Sequence, residues 1–420
     1  MRPGNASQGV LGAAAVAAAA AAAGAPLLTQ LRLSACTLLD GAESLAAALL
    51  QLPSLEHLSL RSMDDGVTPG GRSLVRFPTG VLQQLQQLTY LELAEVGLQG
   101  PDDTSPYLQP LTALTRLADL RLAHLWLADL YPFHEQRVTA GMLSGMCHLT
   151  RLALDAGCFE PAALAGIAQR NLKLVACMLR TPSNASGLAE LLSQLQHLQQ
   201  LSHLDLRNTI RDYESCFSLA AAYAALTASS KLQHLSISQC TLPAGVWQHM
   251  FPAGRQLLHL TSLDFSAVKE PDLDDPYPAP DYGRVVSCCP NLQSLNMVSL
   301  AYNTQQELMP LRGLSGLHTL HMVTGTGHFV EDGISAHTGE ALQALCQLTG
   351  VRKLHLGVYD DPTPVMLAQL QQLPQLTELH FSGGVRPAVL KQEVSHKDNA
   401  GWVLRTLCLL GEHIRMETAR

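Results

Sequence analysis

The chain has 420 residues, 47% of them hydrophobic but only 5% aromatic, so Leu and Ala must do most of the packing. Charged residues make up 15%, below the ~25% of an average soluble protein. The formal net charge of −8 comes with no block of Lys and Arg, which argues against a nucleic-acid surface and makes a neutral or basic partner easier to accommodate.

From the N-terminus, "VLGAAAVAAAAAAAGAP" (10–26) is uncharged and almost all Ala. It reads as a capping helix, as a targeting peptide with an Ala-x-Ala end, or as a disordered lead. From Leu28 onward one pattern recurs: "LTQLRLSACTL" (28–38), "LTYLELAEVGL" (88–98), "LADLRLAHLWL" (117–127) and "LQHLSISQCTL" (232–242). Looser copies start at Leu55, Leu149, Leu201, Leu260, Leu292, Leu317, Val351 and Leu376, with a degraded one at Leu172. Successive starts lie 23 to 34 residues apart. Within "LSHLDLR", Leu204 and Leu206 alternate with His203, Asp205 and Arg207, the period-two signature of a strand with one buried face. Between the strands, "GAESLAAALLQL", "FPTGVLQQLQQL", "ASGLAELLSQLQHLQQL" and "TPVMLAQLQQL" carry apolar residues at helical spacing.

Strand, turn and helix repeated in phase resemble the leucine-rich repeat, L-x-x-L-x-L-x-x-N/C-x-L. The resemblance covers about residues 26–410 and implies an α/β solenoid of about 13 repeats. Such an array is a curved horseshoe with a parallel β-sheet on the concave face and helices on the convex face. The spacing is similar to the intracellular, ribonuclease-inhibitor-like class with cysteine-containing long repeats. The expected organisation is an Ala-rich capping helix or targeting segment at 1–25, the repeat array at 26–385, and an irregular terminal repeat and cap at 386–420. One departure stands out: the N/C position holds Cys36, Met63, Val96 and Cys240 among others, but never Asn. Some post-strand turns must therefore be satisfied by backbone or water.

No phosphate loop, HExxH or GxSxG motif is present, so the reading is not an enzyme, with no cofactor and no metal. The ten cysteines include no CxxC, as expected of reduced, packed thiols, Cys288 and Cys289 among them.

Function then rests on the side chains that the strands leave on the concave face. Two columns run across the repeats, and three patches emerge from them. Tyr90 with Arg121 and Arg151 is the first, because aromatic and Arg side chains dominate interface energetics. His203, Asp205, Arg207 and Asp264 form a central patch. Lys353 with the His321, His355 and His380 ladder forms the third; such a ladder suits a partner's carboxylates or, less readily, a metal. Loops at 64–73, 100–107, 130–137, 269–283 and 327–333 are further candidates, with Tyr277 and Tyr282 as anchors.

The expected role is a monomeric, non-enzymatic scaffold in the cytoplasm that binds protein partners on its concave face, with no nucleic acid and no membrane. Three alternatives remain: a structural component of a cytoskeletal or ciliary axoneme assembly; a ubiquitin-ligase substrate receptor, for which no F-box is visible; and an extracellular receptor ectodomain, which would need export, cysteine caps and usually a membrane span.

Overall fold

The structure, a computed structural model, describes residues 9–11, 28–38, 41–63, 76–99, 108–123, 125–127, 140–155, 161–167, 172–178, 185–207, 210, 216–243, 245–266, 268, 280–298, 305–323, 341–358, 369–370, 372–383, 403–410 and 413–419. The fold is an α/β solenoid of leucine-rich repeats. It divides into two compact units, one essentially residues 1–201 and the other 202–420.

In the first unit six strands run parallel in sequence order: β1 (Gln30–Ser34), β2 (His57–Arg61), β3 (Tyr90–Ala94), β4 (Asp119–Ala123), β5 (Arg151–Asp155) and β6 (Leu174–Met178). In the second, seven do the same: β7 (His203–Asp205), β8 (His234–Ser236), β9 (Ser262–Asp264), β10 (Ser294–Val298), β11 (Thr319–Val323), β12 (Lys353–Val358) and β13 (Glu378–Gly383). These thirteen strands among the described residues match the expected number of repeats. The copy at Leu172 is thus a full repeat in register, with Leu174 opposite Arg151. After β13 the direction reverses: β14 (Val403–Leu410) pairs antiparallel with β15 (His413–Ala419), which pairs antiparallel with β13.

The register places each consensus leucine against its counterpart in the next repeat. Leu58, Leu91 and Leu120 align, as do Leu235, Leu263 and Leu295, and all six are buried. Because side chains alternate along a strand, this one-residue registration fixes which residues remain on the opposite, polar face. The turn entering each strand is also repeated. Leu55, Leu88, Leu117 and Leu149 each donate a backbone N–H to the residue three positions earlier, at 3.0–3.1 Å.

The inter-strand segments are only partly α-helical. Helices α1 (Gly41–Leu50) and α2 (Ala185–Leu195) form where expected, α1 burying Leu45 and Leu49 one turn apart. "FPTGVLQQLQQL" instead forms a 3₁₀ helix at Thr79–Gln84, and further 3₁₀ segments occur at Gln109–Ala113 and Met309–Gly313. Leu82 lies in the Thr79–Gln84 helix, and two further turns, Leu85 N–H to the Leu82 carbonyl and Leu88 N–H to the Leu85 carbonyl, continue the three-residue step beyond it, so all three leucines face the core.

The missing Asn is replaced in two ways. Ala35, Ser62, Glu95 and Gln239, each just before the N/C position, adopt left-handed φ of 49–57°. That conformation points each N–H at the next repeat: Ala35 to the Arg61 carbonyl at 3.0 Å, Ser62 to Ala94 at 2.9 Å, Glu95 to Ala123 at 2.9 Å and Gln239 to Ser266 at 2.8 Å. Where Cys occupies the position, its thiol also contributes, Cys240 Sγ donating to the Leu206 carbonyl at 3.1 Å. The Ala-rich lead lies outside the described residues, except that Gly9–Leu11 pairs parallel with Cys36–Leu38.

Candidate functional site

Strand register builds the first patch on the polar face of β1–β5. One row runs Gln30, His57, Tyr90, Asp119, Arg151; the neighbouring row runs Arg32, Ser59, Glu92, Arg121, Ala153. Most of these, together with Arg61 at the end of β2, line an open cleft of about 700 Å³. Its floor is acidic. Glu92 is 6% exposed and accepts hydrogen bonds from Ser59 Oγ at 2.7 Å, Arg61 Nη2 at 2.6 Å and Tyr90 Oη at 2.9 Å. Burial pushes the Glu92 pKa up, but those three donors outweigh it and hold the carboxyl below its ordinary value. Asp119, 8% exposed, takes Arg121 in a two-pronged pair at 3.1 Å for each bond. That pairing raises the Arg121 pKa further, so the cation is permanent.

Above the floor the surface is aromatic and cationic. Tyr90 stacks on His57 with ring centroids 5.8 Å apart, and the Arg121 guanidinium sits 5.4 Å from the Tyr90 ring centre. Burial, with Glu92 second, raises the Tyr90 pKa, so the phenol stays neutral. The side chains of Arg61 and Arg151 are 54% and 53% exposed. Arg151 reaches Asp119 only at 3.8 Å. The structure thus brings Tyr90, Arg121 and Arg151 together as expected from their columns.

The central patch assembles in the second unit. His203 and His234 approach with centroids 5.2 Å apart, and Arg207 pairs with Asp205 at 2.7 Å. Asp264 accepts from Ser236 Oγ at 3.1 Å and Ser266 Oγ at 2.8 Å. The third patch also forms: His321, His355 and His380 are direct cross-strand neighbours, with ring centroids 5.4 and 5.6 Å apart. Burial lowers the His321 pKa, with the His380 charge as a second cause. Glu378 accepts from His380 Nε2 at 2.5 Å and pairs with Lys353 at 3.0 Å, which holds its carboxyl near a pKa of about 2. Among the described residues no set of three His, Cys, Asp or Glu side chains converges on a point that a metal could occupy.

No family model matches this chain, and no curated protein matches its sequence. Solved structures similar to it include an internalin (inlF) from Listeria monocytogenes str. 4b F2365, 15% identical, at a TM-score of 0.42 over 84% of this chain and 86% of that one.

Elsewhere the structure corrects one expectation. Tyr282 cannot anchor a partner, because it is buried in an aromatic cluster, 6.1 Å from Phe265, which meets Trp247 edge-on at 5.4 Å. Asp281, beside it, instead caps the Tyr282–Cys288 helix, accepting the Arg284 N–H at 3.0 Å. Tyr277 and the loops at 64–73, 100–107, 130–137 and 327–333 lie outside the described residues. Burial pushes the Cys289 thiol up to about 12 and raises Cys288 as well, so neither carries the thiolate that redox chemistry needs.

The residues that the candidate set lacked are Glu92, Asp119, Arg61 and Arg32. A signal for them exists: Tyr90 with Glu92, and Asp119 with Arg121, are two positions apart and so share a strand face. The same spacing unites Asp205 with Arg207 and Glu378 with His380.

Proposed function

We propose that the chain is a non-enzymatic protein-interaction scaffold, and that a protein partner docks on the polar face of β1–β5 over Tyr90, Arg121 and Arg151. The observation that carries this reading is the fixed Tyr90: His57 on one side, Arg121 on the other and Glu92 at its hydroxyl hold it in one orientation. A preorganised aromatic flanked by arginines loses little entropy on binding, and such residues dominate binding energy at protein interfaces. The reading keeps the protein in the cytoplasm, where thiols such as Cys240 remain reduced and serve the repeat turns. It also keeps the chain with the intracellular, ribonuclease-inhibitor-like repeats, in support of which α1 and α2 are true α-helices. Among the described residues no helix is long and apolar enough to cross a membrane.

Proximity labelling with the full chain tests the docking surface. Replacing Tyr90, Arg121 and Arg151 together with Ala should remove one specific partner from the labelled set while circular dichroism stays unchanged. An identical partner set would reject this surface.

A further inference from the structure

The cleft on β1–β5 is charged against the sign of the chain as a whole. Arg32, Arg61, Arg121 and Arg151 line it against only two carboxylates, Glu92 and Asp119, which leaves two positive charges unbalanced in a protein of net charge −8. Depth sorts these charges. The carboxylates are buried on the floor, whereas Arg61 and Arg151 have more than half of their side-chain surface in solvent. Anything entering the cleft meets guanidinium groups first.

We infer that this surface selects an acidic peptide segment, an assignment that rests on the docking surface proposed above. Each guanidinium offers five N–H donors in a planar fork that matches a carboxylate. Among the described residues, Arg61 commits one donor to Glu92, and Arg151 meets Asp119 only at long range because Arg121 already takes both of that carboxylate's oxygens. Arg61 and Arg151 therefore have donors to give, while Arg121 is held by Asp119 over the Tyr90 ring. From β2 to β5 is three strand steps, about 14 Å at ~4.8 Å per step. Arg61, level with Ala94 and Ala123, sits four residues beyond the row of Arg151, roughly 13 Å along the strands, so the two positions are about 20 Å apart. An extended peptide rises ~3.3 Å per residue, so two acidic side chains about six positions apart, on the same side of the peptide, span the two arginines. Tyr90, on β3 in the row of Arg151, is an apolar platform beside that path.

The same charges do not favour a nucleic acid. A polyanion continues beyond the cleft onto a chain whose remaining charge is negative, and that repulsion reaches about 8 Å at physiological ionic strength. A short acidic segment ends where the positive surface ends. Net charge alone favours a neutral or basic partner, and the cleft's local charge favours the opposite sign at this site.

Fluorescence anisotropy on the full chain tests the inference with a labelled Ser-rich peptide carrying Glu at every third position, its Gln and Lys versions, and a labelled oligothymidylate. The Glu peptide should bind, weaken as salt is raised, and lose about tenfold or more in affinity in Arg61→Gln/Arg151→Gln, a pair exposed enough to leave the fold intact by circular dichroism. If the Gln or Lys peptide binds as tightly and the double variant abolishes it, the docking surface stands and its selectivity for acids is overturned. Tighter binding of oligothymidylate would replace the peptide with a nucleic acid. If no probe binds, the acidic assignment fails, and the docking surface is then judged separately by proximity labelling.

Discussion

Glu92 shows how a nearly sealed carboxylate can organise a surface. It is ionised because Ser59, Arg61 and Tyr90 all donate to it, and its folded pKa lies below the unfolded value of 4.5. A depressed carboxyl pKa adds stability that is present above the unfolded pKa and is lost as pH falls through the folded one. Glu92→Gln should therefore cost about 2 kcal/mol at neutral pH and flatten the loss of thermal stability below about pH 4.5, measured by melting across pH 3–7. Glu378 makes the same case more sharply. His380 is the main cause of its depression to about 2, with Lys353 assisting against burial, so its contribution fades only between about pH 4.5 and 2. Glu378→Gln should remove that most acidic limb of the melting profile and leave the behaviour above pH 5 with little slope from this site. At this scale the sequence was half legible. Period two placed Tyr90, Arg121 and Arg151 on one face, because that follows from alternation alone. It did not reveal that Glu92 and Asp119 fold inward beneath them, since rotamers and pairings depend on residues far away in the chain. For Glu92 these are Arg61 and Ser59, 31 and 33 positions earlier.

The strand-to-turn element carries a local strain that the consensus does not display. Ala35, Ser62, Glu95 and Gln239 hold positive φ without being glycine, a conformation that costs roughly 1 kcal/mol each. It persists because the rotated N–H reaches the next repeat's carbonyl. Gln239→Gly should raise stability by about 0.5–1 kcal/mol, and Gln239→Val should lower it by more than that, both read from denaturant midpoints. The adjacent Cys240 tests the other replacement for Asn. It is 1% exposed and its thiol serves the Leu206 carbonyl. Cys240→Ala should destabilise by about 1–3 kcal/mol, since it leaves a buried acceptor and a small cavity. Helical spacing was less reliable than strand alternation for a physical reason. Leucines at every third residue suit a 3₁₀ turn as well as they suit an α-helix when only one side needs burying, as at Leu82 and Leu85.

Across the whole molecule, stability should be the sum of each repeat and its contacts with the next one, because each repeat strand's hydrogen bonds run to the adjacent strands. The thirteen-strand count was legible from the leucines for the same reason: every repeat needs the same buried pair. Such an array responds locally to damage. Leu235 on β8 is 1% exposed and aligned with Leu204 and Leu263. Leu235→Ala removes roughly 3 kcal/mol from that one layer. Hydrogen exchange followed by mass spectrometry should then show lost protection at β7, β8 and β9, with β2, β3 and β4 exchanging as in the wild type. An equal acceleration in both groups of strands would mean that the array opens all at once and that the nearest-neighbour description is wrong. The outcome also bears on the acidic-peptide surface, because a locally responding array lets the β2–β5 cleft keep its geometry while distant repeats are altered.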